Sequence, residues 1–322
     1  MSRVVPVLPA TTETIDRAAA LLRAGAVVAF PTETVYGLGA CAFDATAVAR
    51  IFEIKKRPEF DPLIVHVDGD AMLEAVVASI PGSARALMTR FWPGPLTLVL
   101  KKTERVPAIV TAGLDTVAVR MPAHPIARAL LDRVQLPLAA PSANPFGYLS
   151  PTRAEHVERM LDDRVDLIVD GGATVHGVES TILLLEPKPT LLRHGAIPVE
   201  EIEGVIGPVA RELSDETKPL APGRLPQHYA PSKPIRIVND LNAVPLEERR
   251  DAALLAFSSA VDGYAATRTL SPSGDLREAA ARLFESLHEL DRESVTRIDA
   301  EEVPNEGIGV AIMDRLRRAS HR

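Results

Sequence analysis

The residues able to do chemistry in this chain sit just beyond short apolar runs. Residues 26–30 are almost wholly apolar and end at Pro31, after which Thr32, Glu33, Thr34 and Tyr36 supply two hydroxyls, a carboxylate and a phenol ahead of Gly37 and Gly39. Ligands of open α/β sheets favour such strand ends, although a polar turn shaped by glycines has the same composition. A phosphate-cradling loop is absent, because the G-x-x-x-x-G-K-[ST] spacing is not there. Lys55-Lys56-Arg57-Pro58 closes a helical stretch, where cations also balance the helix dipole. Arg57, fixed by a rigid turn ahead of Asp61 and an apolar run ending at His66, is placed to grip a phosphate or carboxylate with two parallel bonds. His66 itself reads first as a satisfied core histidine. Arg120 ends the apolar run 117–119 and needs a partner, either a protein carboxylate or that of a small ligand. Ser142 and Asn144 lie two apart on an extended segment and so face one way, while Ser150-Pro151-Thr152 reads as a helix cap. Ser180 and Arg193 complete the set. These groups bind and neutralise anions. No Ser-His-Asp grouping, acid dyad or cluster of metal ligands accompanies them, and no residue stands out as a nucleophile.

The elements that must position these residues alternate along the chain. Ile15, Ala18, Ala19 and Leu22 recur at helical spacing ahead of Gly25. Apolar runs predict strands at 26–30, 63–67, 96–100, 117–120, 138–140, 167–169 and 181–185, and another ends near Arg193. Helices are predicted at 45–55, 81–91 and 125–133. Residues 207–234 hold Pro208, Pro219, Pro222, Pro226, Pro231 and Pro234, which excludes a helix or a central strand there. The pattern then restarts with strands at 235–238, 252–257 and 294–298, a helix carrying Leu276, Ala279, Ala280, Leu283 and Leu287, and a last helix at 309–318. The expected architecture is α/β: a twisted, mixed, open sheet with flanking helices over residues 1–207, a proline-rich linker at 208–234, and a smaller Rossmann-like α/β domain at 235–322.

Composition narrows the class. The 322 residues exceed what one hydrophobic core serves, so two domains are expected. The chain is 46% hydrophobic and 25% charged, the balance of a folded protein rather than a disordered one. Cys41 is the single cysteine, which removes a disulfide framework and a four-thiolate zinc site and suits a reducing cytoplasm. A net charge of −7, from 36 basic and 43 acidic residues, argues against coating nucleic acid through bulk positive charge. No apolar run approaches the ~18–20 residues that cross a bilayer, and the amino terminus lacks the apolar stretch of a signal peptide, so an unexported, soluble protein is expected.

Several of these motifs occur together in one known family. Pro31-Thr32-Glu33-Thr34-Val35-Tyr36-Gly37-Leu38, Lys55-x-Arg57-Pro58, Pro62-Leu63-Ile64-Val65-His66, Trp92-Pro93-Gly94-Pro95-Leu96-Thr97, Arg120-Met121-Pro122, Ser142-Ala143-Asn144 and Glu179-Ser180-Thr181 resemble the YrdC-like threonylcarbamoyl-AMP synthases. The segment Ala221-Pro222-Gly223-Arg224-Leu225-Pro226-Gln227-His228-Tyr229-Ala230-Pro231 and the terminal Gly307-Ile308-Gly309-Val310-Ala311-Ile312-Met313-Asp314-Arg315-Leu316 are similar to the longer, two-domain branch.

The resemblance implies a nucleotidyltransferase that joins L-threonine, bicarbonate or CO2 and ATP into threonylcarbamoyl-AMP and pyrophosphate. A downstream transferase then modifies the adenosine beside the tRNA anticodon. It implies Thr34, His66, Arg120, Ser142 and Ser180 on L-threonine, Lys55 and Arg57 as catalytic cations, and Arg57, Asp61, Thr116, Asn144, Thr152, Arg193 and Tyr229 on ATP. Asp61 stands where many relatives carry Asn, so an acceptor replaces a donor at that contact. Mg²⁺ would arrive on the triphosphate, with no protein metal site and no zinc. A lid over the unstable carbamate is expected, formed by His228-Tyr229. Neither a membrane nor a stable nucleic-acid complex is implied. The alternative from another class is an RNA-binding or ribosome-maturation module using the same sheet, against which the negative net charge weighs. A carbamoyl-transferring maturation enzyme with a related domain would carry zinc fingers, which one cysteine cannot form.

Overall fold

The computed structural model describes residues 5–211, 222 and 228–321. Among them, eleven strands form one large sheet: β1 (Val7–Pro9), β2 (Val28–Pro31), β3 (Tyr36–Cys41), β4 (Ile64–His66), β5 (Leu96–Lys101), β6 (Thr116–Arg120), β7 (Leu138–Ala139), β8 (Leu167–Asp170), β9 (Thr181–Leu184), β10 (Thr190–Arg193) and β11 (Ala210–Arg211), in the order β1-β8-β2-β3-β7-β4-β6-β5-β9-β10-β11. Parallel and antiparallel pairs mix, as expected for this sheet. Helices α1 (Thr12–Arg23), α2 (Ala45–Lys55), α3 (Asp70–Val76), α4 (Gly82–Phe91), α5 (Ala108–Thr111), α6 (Pro125–Val134), α7 (Ala154–Leu161) and α8 (Val199–Ile206) belong to this part of the chain.

Strand β3 is the main element that the apolar-run pattern does not predict. Glycine at every second position, Gly37 and Gly39, gives Tyr36–Cys41 the look of a loop, but tertiary pairing overrides the weak propensity. The turn before it is closed by Thr32, whose hydroxyl donates to the Val35 carbonyl at 2.7 Å and accepts the Thr34 and Val35 N–H groups. Helix α7 starts at Ala154 with Arg153 at the cap, so Ser150 and Thr152 are not its caps. Residues 210–211 join the large sheet at its edge as β11, where proline-rich neighbours are tolerated, so the first sheet extends into the expected linker. Linker residues 212–221 and 223–227, Pro219, Gly223, Arg224 and Pro226 among them, lie outside the described residues.

The second domain is a four-stranded, wholly parallel sheet of β12 (Ile235–Val238), β13 (Ala252–Ala256), β14 (Ala266–Thr269) and β15 (Arg297–Glu301), ordered β12-β15-β13-β14. Strand β15 begins three residues later than the apolar pattern suggests. Helices α9 (Leu246–Arg249), α10 (Leu276–Leu290) and α11 (Gly309–Ser320) accompany it. Its core is continuous with the first domain, because Val35, Leu149, Val178, Ala196 and Tyr229 pack into the same apolar cluster. Gly177 makes that contact possible: it has φ +65°, and a Cβ there would stand 2.4 Å from the carbonyl oxygens of Ala280 and Ala281 in α10. No helix of the described residues is long and apolar enough to cross a membrane.

Candidate active site

The large sheet delivers its polar residues to one place. Strands β4 and β6 run parallel with His66 opposite Arg120, so their carboxyl ends coincide. The β2–β3 turn brings Thr34, Ser142 forms a bridge with Gly37, and β9 and β10 bring Ser180 and Arg193. Together with Arg57, Pro222, His228 and Tyr229 they line one cavity.

Arg120 has a protein carboxylate beside it. Its Nη2 lies 2.5 Å from Glu33 Oε1, Nη1 donates to Thr34 Oγ1 at 2.9 Å, and Nε donates to the Gly94 carbonyl at 3.2 Å. The Trp92-Pro93-Gly94-Pro95 motif therefore supports this arginine. Burial would raise the Glu33 carboxyl, but Arg120 holds it below the usual range. His66 is buried and its pKa falls to about 3, through desolvation and then the Arg120 charge. It is neutral at pH 7. Its Nδ1 has no hydrogen-bond partner among the described residues, which is unlike a satisfied core histidine and fits a group awaiting a ligand.

Lys55 is buried behind the cavity rather than in its wall. Its Nζ donates to the Ser142 carbonyl (2.6 Å), the Asn144 carbonyl (2.5 Å) and Asn144 Oδ1 (3.3 Å). Burial pulls its pKa well down, yet three acceptors match the three donors of an ammonium group. Its visible work is to fix the Ser142-Ala143-Asn144 segment. Arg57 lines the cavity, with Nε on the Asp61 carbonyl at 3.0 Å and Nη2 on the Pro62 carbonyl and the Asp61 carboxylate, each at 2.8 Å. Nη1 has no protein partner among the described residues. Asp61 is thus the ion partner of Arg57. Desolvation raises its carboxyl, against the pull of Arg57.

Arg193 and Ser180 hold each other. The arginine donates to the Ser180 carbonyl through Nε (3.1 Å) and Nη2 (3.0 Å), to Ser180 Oγ at 3.1 Å and to the Pro222 carbonyl at 3.3 Å. Ser180 Oγ is also 2.7 Å from Thr97 Oγ1. Gly195 packs directly on this backbone, since a Cβ would stand 2.3 Å from the Thr181 nitrogen.

Two remaining residues of the expected ATP set lie off the cavity wall. Thr152 is buried beside His156, whose Nδ1 accepts its N–H at 3.3 Å. Thr116 pairs with Lys101 at the start of β6, four residues from Arg120 and so ~13 Å along the strand, which removes it from the group that meets here. Three participants stand in the quoted motifs but were given no ligand there: Glu33, Glu179 and Arg315. Glu179 accepts the Ser150 hydroxyl at 2.5 Å and faces Arg315 of α11 at 3.0 Å. Tyr229, with φ +63°, lies between this arginine and Phe284. Five buried cations, Lys55, Arg57, Arg120, Arg193 and Arg315, thus surround the cavity against three buried carboxylates, Glu33, Asp61 and Glu179. A local excess of positive charge is kept out of water, which is favourable only opposite an anion. Among the described residues no group of three His, Cys, Asp or Glu side chains could hold a metal ion.

Comparison with known proteins assigns this combination of fold and cavity. The chain belongs to the Sua5–YciO–YrdC family: residues 20–195 match its profile, described as telomere recombination. Residues 197–321 match the profile described as threonylcarbamoyl-AMP synthase, C-terminal domain. The chain is 46% identical to the threonylcarbamoyl-AMP synthase of Pyrococcus abyssi, over 94% of this chain and 93% of that one. It is equally 46% identical to the Bacillus subtilis enzyme of the same name, over 95% of this chain and 92% of its relative. The crystal structure of P. abyssi Sua5 complexed with L-threonine superposes with a TM-score of 0.91 at 42% identity, covering 99% and 98% of the two chains.

Proposed function

We propose that this chain is an L-threonylcarbamoyladenylate synthase, an enzyme that joins L-threonine, bicarbonate or CO2 and ATP into threonylcarbamoyl-AMP and pyrophosphate. The observation that carries this reading is the buried excess of cations beside clustered hydroxyls and histidine nitrogens that have no partner among the described residues, in a chain nearly half identical to named synthases along its length. Threonine's carboxylate is read at Arg120 with the Ser142 and Ser180 hydroxyls, and its neutral amine attacks the carbon of CO2, releasing a proton, or of bicarbonate, releasing water, to give a carbamate. A carbamate oxygen then attacks the α-phosphorus and pyrophosphate departs. Arg57, through the Nη1 that has no partner among the described residues, and Arg193 meet the charge that grows on the phosphate oxygens, so the protein supplies position and fixed charge rather than a covalent intermediate. Lys55 supports this by holding the Ser142-Ala143-Asn144 segment.

Mg²⁺ fits this chemistry as a partner of the triphosphate, neutralising the leaving pyrophosphate. The three cavity carboxylates each face an arginine, which leaves the phosphates as the metal's main ligands. Zinc has no part in the scheme. Pro222, His228 and Tyr229, which line the cavity, would help to keep water from the carbamate. The product passes to a downstream transferase acting on tRNA in the cytoplasm. The cations lie inside a cavity rather than across a sheet face, which disfavours the RNA-binding alternative. The test is incubation with ATP, Mg²⁺, bicarbonate and each amino acid in turn, followed by mass spectrometry. A mixed anhydride with threonine and AMP is expected; pyrophosphate release independent of threonine would refute the reading.

A further inference from the structure

Among the described residues, the cavity wall holds no carboxylate free to receive a positive charge. Three arginines line it, Arg57, Arg120 and Arg193, against one carboxylate, Glu179. Glu179 is already engaged, because Oε1 accepts the Ser150 hydroxyl at 2.5 Å and Oε2 faces Arg315 at 3.0 Å. Behind the wall, Glu33 is divided between Arg120 at 2.5 Å and the His124 N–H at 3.3 Å. Asp61 lies 2.8 Å from Arg57 and also feels the charges of Lys55 and Arg193. The other polar groups of the wall are hydroxyls, the Tyr229 phenol and the rings of His66 and His228. They can exchange hydrogen bonds with a ligand but supply no negative charge.

The two rings show what this surrounding does to a group able to carry a proton. Burial and then the Arg120 charge push His66 down to about 3. Burial and then Arg57, Lys55, Arg193 and Arg315 lower His228 as well. Beyond Glu33, burial also lowers His124 and His176. An ammonium group entering the same space meets the same two penalties, lost water and like charge. An α-amino acid brings a carboxylate of its own, which raises the three buried carboxylates to four against five buried cations. With Lys55 set aside, four arginines still answer those four carboxylates, and no net negative charge is left for an ammonium.

We propose that the cavity takes its amino-acid substrate with the amine already neutral: the ammonium proton leaves to solvent on entry, and no protein side chain has to take it up. This rests on the reading of the cavity as a threonylcarbamoyl-AMP synthase site. One N–H bond breaks as threonine enters, the proton goes to water, and the nitrogen keeps the electron pair. That pair then forms the bond to the carbon of CO2 or bicarbonate. The surplus of arginines thus makes the nucleophile as well as receiving the anions, which accounts for a site with an amine to activate and no ionised group placed as its base.

The test is calorimetric titration of L-threonine into the nucleotide-free full chain in two buffers of different ionisation enthalpy. It is paired with the nitrogen resonance of bound ¹⁵N-labelled threonine. About one proton should be released per threonine bound at pH 7, and affinity should rise about tenfold from pH 6 to pH 7, below the pKa of an α-amino group. The bound nitrogen should resonate where free threonine does at high pH. Binding with no proton released and an affinity flat with pH would overturn the proposal. So would a proton released while the nitrogen stays at the ammonium position, because that proton comes from a protein group. Absence of threonine binding would remove the functional reading and the proposal with it, whereas binding without deprotonation removes the proposal alone.

Discussion

The two sheets of this molecule treat their strand ends in opposite ways. Around the large sheet's cavity, polar groups have bonds left to make: the Nδ1 atoms of His66 and His228 are buried without hydrogen-bond partners among the described residues, and buried cations outnumber buried carboxylates there. In the parallel sheet, backbone and hydroxyl groups at the carboxyl ends, where open α/β sheets commonly take ligands, are bonded to the domain's own side chains. Glu301 accepts the Phe257 N–H at 2.6 Å, Asp240 accepts the Asn242 N–H at 2.9 Å, and Glu278 takes the hydroxyls of Ser271 and Ser273. A nucleotide-type topology is therefore put to a different use, as a shelf that presents Phe284 and Arg315 to the neighbouring domain. Unfinished polar groups locate the site better than topology does.

That contrast breaks or sharpens under substitution. The largest effect is expected at Arg120. Arg120→Met should stop threonine-dependent pyrophosphate release, by roughly a thousandfold or more, and destabilise the fold by about 3–5 kcal/mol, because Glu33 is left as a lone buried charge. Adding Glu33→Gln should return most of the stability, measured by thermal unfolding, and none of the activity. Recovery of activity would make the pair a matter of folding alone.

Next comes Lys55→Met, which strands three buried acceptors. Turnover should fall about a hundredfold and the unfolding midpoint should drop by ~5 °C together, since the residue holds a loop and loss of ~1–3 kcal/mol is typical of unsatisfied buried groups. A midpoint equal to wild type would instead make Lys55 a reactant rather than a support.

A smaller effect is expected where α10 docks on α7. His156 and His288 stack with ring centres 4.0 Å apart, and His288 Nε2 is 3.1 Å from the Ser150 carbonyl. Desolvation lowers both pKa values, that of His288 to about 4, with Arg159 facing the pair. Both rings are neutral when folded at pH 7, whereas the unfolded chain takes up protons near pH 6.5. Stability should therefore be complete above pH 6.5 and be lost as pH falls from there towards 4. Following the unfolding midpoint over that range in wild type and His288→Gln checks the point, because the variant should lose part of the slope. The smallest effect is expected at the closed strand ends: Asp240→Ala should cost about 1 kcal/mol of capping and leave turnover within about twofold. A tenfold loss of turnover there would mean that the second sheet holds a site after all.

How far the sequence alone reaches follows from what is local. Arg120 and Ser142 were legible because a charge or hydroxyl at the end of an apolar run has few other reasons to be there. The double role of the Thr32–Tyr36 stretch was not, since Thr32 closes a turn while Thr34 meets Arg120, and only the fold separates the two. Lys55 looked like a reactant because its acceptors come from a segment far along the chain. Arg315 stood in a quoted motif without a role for a simpler reason: it shares a helix with Arg317 and Arg318, and residue type alone does not tell the fully buried guanidinium from its less buried neighbours. Thr116 shows the converse, a residue that a motif-based carry-over includes but the strand register places away from the cavity.

The central claim is that Arg120 and its neighbours form the threonine half of one cavity whose other half takes ATP. Calorimetric titration of L-threonine and, separately, of ATP into wild type and the Arg120→Met/Glu33→Gln variant tests it most directly. The account predicts one threonine site in wild type, no measurable threonine binding in the variant, and ATP affinity within about threefold in both. Threonine binding that survives in the variant, or ATP binding lost together with it, would contradict the account.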